Sequence, residues 1–209
     1  MRRSAADAAE TRRRLVDAAT VAFAERGYEG ATFEHIGARA GVTRGAVHHH
    51  FRGGKDELLV QLLVEQWARH GDAVLAPLRE PAGSPADRLG GFLVGYLRRL
   101  AEDASFRALA TVTTLVAPHA RAGGEEGLQE HRRSLDGWRA ELHGVLGPSG
   151  VLRAGVTPDM AVFVVVAVVL GSNDTAALEP DRLPSTDSER RAAAAAVVHG
   201  LIEGGDDER

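Results

Sequence analysis

The stretch Ala31–Phe51 reads ATFEHIGARAGVTRGAVHHHF, and its punctuation decides how the first quarter of the chain folds. Thr32 stands before Phe33, Ile36 and Ala40, apolar positions at helical spacing behind a hydroxyl suited to an N-cap. Gly41-Val42-Thr43 breaks that helix, because glycine closes one helix and threonine opens the next. In the third helix Ala46, Val47 and Phe51 point inward, leaving Arg44, Gly45, His48, His49 and Arg52 on the outer face. Two short helices joined by a tight glycine turn predict a helix-turn-helix.

Working outward, residues 1–9 read as a frayed, alanine-rich tail. From Glu10 the positions Leu15, Ala18, Ala22 and Phe23 recur at helical spacing until Gly27-Tyr28, a glycine stop. Beyond Arg52-Gly53-Gly54 the helices lengthen. Leu59, Leu62, Leu63, Trp67 and Val74 predict a fourth helix to about Arg79. Ser84-Pro85 caps a fifth, whose Leu89, Phe92, Leu93, Tyr96, Leu97 and Leu100 form an apolar stripe. A sixth covers Ser105–Ala117, and Pro118–Gly124 reads as a loop. Leu128, His131, Leu135, Trp138, Leu142 and Val145 predict a long seventh helix, and Gly147–Thr157 a linker. Met160–Leu170 has the composition of a buried strand, yet Thr157-Pro158-Asp159 reads as a helix start and no partner strand exists. It is expected to be a helix, apolar all round, followed by a last helix over Asp187–Ile202. The fold class expected is all-α.

The chain has 209 residues, 26% charged and 44% hydrophobic, which suits a folded protein rather than a disordered one. Without cysteine it has no disulfides, thiolate metal sites or cysteine nucleophiles. The apolar run Met160–Leu170 is too short to span a bilayer, and no apolar segment follows the first arginines, so no signal peptide is expected. A cytoplasmic protein is expected. Residues 1–55 hold ten Lys/Arg against six Asp/Glu, a net of +4; residues 56–209 hold fifteen against twenty-three, a net of −8. A basic head on an acidic body suits an anionic partner for the head alone. No glycine-rich phosphate loop, G-x-S-x-G elbow or HExxH is present, so an enzyme is not expected.

Thr11–Leu59 resembles the DNA-binding domain of the TetR family of bacterial transcriptional repressors. The residues that carry the likeness are Phe23-Ala24-Glu25-Arg26-Gly27-Tyr28, Ala31-Thr32-Phe33, Ile36 through Val47, His50-Phe51 and Lys55-Asp56-Glu57-Leu58. The rest matches as an all-helical body, with faint similarity to the multidrug-efflux branch around Leu97–Arg107 and His131–Trp138. The resemblance implies a helix-turn-helix DNA-binding domain over 1–55 and a ligand-binding and dimerisation domain over 56–209. It implies a homodimeric repressor, released from a palindromic operator by a small hydrophobic or amphipathic organic ligand, with no cofactor and no membrane partner. An activator, or a DNA-binding regulator without a ligand, is the alternative. The last two helices, with the small-residue run Ala192–Ala196, would pair with their copies; an ordinary buried core helix is the other reading. Two departures stand out. His48 occupies a position where relatives carry a phosphate-contacting tyrosine, and the Phe51–Lys55 connection is one residue longer than usual.

Within that frame Arg44, at the start of the third helix, reads bases, because a guanidinium pairs bidentately with guanine in the major groove. Gly45 lets the backbone approach, Thr43 caps the helix or touches a thymine methyl or phosphate, and Thr32 offers a hydroxyl and free amides to a phosphate. His48, His50 and Lys55 are assigned to phosphates, and His49 to sequence readout. The three consecutive histidines do not make a metal site, because successive helical side chains point about 100° apart. Pocket candidates in the body are Trp67, Phe92, Tyr96, Phe106 and Trp138, although large aromatics fill cores in any protein.

Imidazoles gain charge on mild acidification, and charge gained beside a phosphate favours the bound state. DNA affinity should therefore rise as pH falls from ~7.5 to ~6. A flat titration by fluorescence anisotropy over that range would remove the histidine–phosphate contacts.

Overall fold

The computed structural model describes residues 5–118 and 125–203, with the side chains of 125–134 left aside. Nine α-helices are found among these residues: α1 Ala5–Gly30, α2 Phe33–Ala40, α3 Arg44–His50, α4 Gly54–Leu75, α5 Pro85–Glu102, α6 Ala104–Thr111, α7 Glu125–Leu146, α8 Pro158–Leu178 and α9 Asp187–Leu201. The described residues contain no strand, only one antiparallel bridge between Leu152 and Ile202. The all-α expectation holds. Contacts gather the chain into two compact units, one of residues 1–69 and 108–132, the other of 70–107 and 133–209. The boundary expected at 55/56 separates the chain by chemistry, whereas packing keeps the first four turns of α4 with the head.

In the first unit, Leu15, Val16, Ala19 and Phe23 of α1 meet Ile36, Val47, Phe51, Leu58, Leu59 and Leu62 in one core. Polar ties fix α4 on α1: the buried Gln66 donates from Nε2 to Asp17 Oδ1 at 2.8 Å and to Thr20 Oγ1 at 3.2 Å. Gly27 stops the regular part of α1 as expected, at φ 66°. Residues 5–9, expected to fray, are helical, as alanine's high helix propensity favours. Leu109, Val112 and Val116 also join this core. There α6 gives way to a π turn over Val112–Val116, so the sixth helix is not α-helical to Ala117.

The turn between α2 and α3 is built on two glycines. Gly41 sits at φ 68°, ψ 34°, and the amides of Gly41 and Val42 donate to Ala38 O and Gly37 O. At Gly37 a Cβ would stand 3.0 Å from Val42 O and 3.3 Å from Val47 Cγ2, so α3 packs against bare backbone.

In the second unit α5 buries Leu89, Phe92, Leu93, Tyr96, Leu97 and Leu100, the stripe read from the sequence. It packs on α8, α9 and the 3-10 turn Ala76–Arg79. Pro77, lacking an amide hydrogen, ends α4 earlier than the expected Arg79. Capping boxes open α5 (Ser84 with Asp87) and α9 (Thr186 with Glu189). Arg190, 3% exposed, ties α9 to α5 through Glu102 Oε1 at 2.6 Å and takes the carbonyls of Pro184 and Ser185. The segment Met160–Leu170 is helical, and α8 as a whole is long and apolar enough to cross a membrane by length and composition, which corrects the reading from the run alone. Its face of Ala161, Val162, Val165, Val169, Asn173 and Ala176 is buried within the unit. Residues 119–124 of the expected loop, and the side chains of Leu128 and His131, fall outside the described residues.

Gly41→Ala should cost about 1–2 kcal/mol, the penalty of a Cβ in the left-handed region. Gly45→Ala, with negative φ and open space, should stay within about 0.5 kcal/mol of the parent. Urea denaturation of the two variants checks the contrast.

Candidate nucleic-acid interface and body pocket

The outer face of α3 follows from its inner one. Val47 and Phe51 are fully buried, and this turns Arg44, Gly45, His48 and His49 outward, all exposed. Thr43 caps α3 by accepting from Ala46 N at 3.2 Å. Thr32 caps α2 in the same way from His35 N at 3.2 Å, and its Oγ1 also lies 3.0 Å from His35 Nδ1. Both threonine hydroxyls are thus engaged in capping, as expected, and both stay exposed.

Arg44 is the first residue of α3, and no described residue holds its guanidinium in a hydrogen bond or ion pair. A Cβ on the neighbouring Gly45 would meet nothing but Thr43 Oγ1 at 3.9 Å. A free guanidinium beside uncovered backbone is an arrangement that admits a base edge. Arg52 is likewise exposed and unpaired among the described residues, whereas Arg39 is paired with Glu25 at 2.6 Å. The histidines diverge. His48 sets its ring edge against Phe33 at 4.6 Å between centroids. His49 is exposed, 5.8 Å from the ring of the half-buried His50. The carbonyl of His50 accepts from Arg12 Nη1 at 3.4 Å, and Arg12 lies over the Phe51 ring at 4.7 Å.

Lys55 is placed differently from its sequence assignment. Its Nζ donates to Tyr28 O at 2.8 Å and sits 4.5 Å from the centre of the Tyr28 ring. The same ammonium is 3.9 Å from Glu29 Oε2. Tyr28 in turn stacks on Phe23 and donates its hydroxyl to Asp56. Burial and the Asp56 carboxylate hold that phenol well above its ordinary pKa. Lys55 therefore closes the end of α1 against the start of α4, and Gly54 just before it turns the chain at φ 84°. Sequence reading gave no packing role to Gly37, nor any role to Arg14, which donates to Ala40 O at the end of α2. Neither has a signature, because each acts on backbone brought close only by the fold.

In the second unit, four of the five pocket candidates come together. Tyr96 lies 5.3 Å from Phe106 and 5.8 Å from Trp138, near edge-on to both; Phe92 is 5.9 Å from Trp138. Phe92, Tyr96 and Phe106 are buried, and Trp138 is half-buried. The Tyr96 hydroxyl donates to the buried Asn173 Oδ1 at 2.7 Å, a residue not assigned to the pocket from sequence. Burial raises the Tyr96 pKa, with Asn173 opposing. His70 adds a ring 5.6 Å from Phe106. Trp67 does not join them; it belongs to the first unit, where its indole N–H donates to Thr113 Oγ1 at 3.1 Å.

Residues 15–62 match the family profile described as bacterial regulatory proteins, tetR family. The HTH-type transcriptional regulator SrpR of Pseudomonas putida is 48% identical over 65 residues, 31% of this chain and 30% of that protein. TtgR of the same species, another HTH-type transcriptional regulator, is 34% identical over 109 residues, 52% of this chain and 51% of TtgR. This chain thus matches no more than about half the length of these two relatives. In solved structures, SmeT is described as the repressor of the Stenotrophomonas maltophilia multidrug efflux pump SmeDEF. Its triclosan complex superposes with a TM-score of 0.74 at 26% identity, covering 94% of this chain and 93% of that one.

Arg44→Ala should weaken binding to a preferred duplex by ~1–3 kcal/mol and leave the melting temperature unchanged. Lys55→Ala should do the reverse in kind, lowering head stability by ~1–2 kcal/mol through the lost carbonyl and ring contacts. Calorimetry paired with gel shift distinguishes the two.

Proposed function

We propose that this chain is a homodimeric repressor of the TetR family of helix-turn-helix regulators, released from a palindromic operator by a small organic ligand. The observation that carries the reading is the free guanidinium of Arg44 at the exposed start of α3, next to the bare backbone of Gly45. In the major groove Arg44 reads a guanine and His49 a neighbouring base. Thr32, Thr43, His48 and His50 meet the phosphates that set register. Arg52, exposed just past α3, joins them, while Lys55 acts by holding α4 in place. The functional division at 55/56 is kept on these grounds.

Two copies read half-sites about one helical turn or a multiple apart, ~34–36 Å per turn. They meet through α8 and α9, where Met160, Phe163 and Leu178 are exposed apolar side chains of a regulator's body. A ligand lodges among Phe92, Tyr96, Phe106 and Trp138, with Asn173 as a polar partner. That lining suits an apolar or amphipathic molecule, a view supported by the triclosan complex of SmeT. Release requires the ligand to prefer the DNA-free state by a few kcal/mol. The protein acts in the cytoplasm, where the operator is. Activation instead of repression depends on where the operator lies relative to a promoter, and the same contacts serve both.

The test is selection of bound duplexes from a random pool, followed by salt titration of the winner. An inverted repeat, with affinity falling steeply in salt and lost in Arg44→Ala, supports the proposal. Weak, sequence-blind binding would overturn it.

A further inference from the structure

We infer that Arg12 is a positioning residue for the reading of DNA sequence: its guanidinium joins the C-terminal end of α3 to Glu65 of α4, so that α4 sets the tilt of the reading helix. This rests on the contact with DNA proposed above for α3. Every residue involved lies in the first compact unit.

α3 has seven residues, too few to hold a direction by its own hydrogen bonds. Its N-terminal end is fixed by the Thr43 cap and by the close approach to Gly37. Its other end leaves carbonyls at the negative pole of the helix dipole, where a cation is favoured. Arg12 of α1 occupies that place. Its Nη1 donates to His50 O at 3.4 Å, its guanidinium carbon stands 4.7 Å from the centre of the Phe51 ring, and its Nε donates to Glu65 Oε1 at 3.3 Å. Phe51 is fully buried, so the cation rests on a ring that the core holds still. The two charged side chains are only about a third exposed, 31% and 33%, and salt screens such a pair less than a surface one.

The α4 end of the link is itself anchored. One residue after Glu65, Gln66 donates to Asp17 and Thr20, and Arg69 pairs with Asp17 at 2.7 Å. A turn of α4 is thereby keyed to α1, and Glu65 carries its position to α3. Arg14 closes α2 in a similar way on Ala40 O, but among the described residues it has no ion pair with α4. A helix the length of α3 spans about 10 Å at 1.5 Å per residue, so a shift of about 1 Å at its free end turns it by about 6°. The N-terminal end is the fixed one, so such a turn carries His48 and His49 sideways while Arg44 stays. Base contacts made from both ends of α3 have to fit one site, whereas phosphates recur along the duplex whatever its sequence. Arg12 therefore bears on preference between sequences more than on affinity for DNA at large.

Arg12→Lys keeps the charge and loses the planar fork. In the full chain, its Kd for the duplex that the parent selects from a random pool should rise about 10-fold, with its Kd for a scrambled duplex of equal length within about 2-fold of the parent's. Glu65→Ala should show the same pattern, and the double variant should bind no worse than Arg12→Lys alone, because both changes break one link. Glu65→Gln, which retains an acceptor for Nε, should restore the parent's preference. If Arg12 is instead a phosphate contact, Arg12→Gln weakens binding to both duplexes and lowers the salt slope by about 0.9, overturning the inference. It also falls if the variants melt earlier while their folded fraction, counted by stoichiometric titration, keeps the parent's preference. A parent with no preferred duplex removes the DNA reading and this inference together; a preference that Arg12→Lys shares in full removes this inference alone.

Discussion

Everything the head presents depends on how closely α3 approaches α2. The Val42 amide reaches back to Gly37 O, and Gly37 has no Cβ to keep Val42 and Val47 away. A methyl there would push the turn outward, and with it the start of α3. The angle between two helices only seven and eight residues long is thus set by backbone contact. Side-chain packing then holds it: Val47 and Phe51 enter the core of α1 and α4, and Gln66 pins α4 to α1. The outward set of Arg44, Gly45, His48 and His49 is the complement of those buried positions.

The legible parts of the sequence were those where a residue type has one local use. Thr32, Thr43, Ser84 and Thr157 each cap a helix by accepting an amide three residues on. Gly27 and Gly41 close helices at positive φ. The apolar stripe of α5 matched residue for residue. Less legible were features set by distant neighbours. Lys55 has the address of a phosphate contact, but the carbonyls at the end of α1 and the face of Tyr28 claim its ammonium. Trp67 shares its spacing with core aromatics, yet hydrogen-bonds to Thr113, 46 residues away. The π turn at Val112–Val116 has no sequence mark, since Val112-Thr113-Thr114-Leu115-Val116 suits an ordinary helix as well.

The body has few aromatic residues, and it concentrates them. Trp138 meets Phe92 and Tyr96, and Tyr96 meets Phe106, edge to face rather than stacked, the arrangement that sets a positive rim against an electron-rich face. A polar tether, Tyr96 to Asn173, fastens α5 to α8 from inside. Because Asn173 sits on the buried side of α8 and Phe163 on the exposed side, one helix serves the aromatic cluster and the outer apolar surface together. Displacing the tether and displacing α8 are then the same event.

Lys55 is the only lysine in a chain with twenty-four arginines, and it is folded into the joint between α1 and α4. Acylation of lysine side chains therefore has a single address in this protein. An acyl group on Nζ would cancel the charge that grips Tyr28 and Glu29, loosening the joint, while the guanidinium of Arg44 stayed untouched. Chemistry that silences many DNA-binding surfaces by neutralising their amines would here act on the hinge and leave the reading face charged.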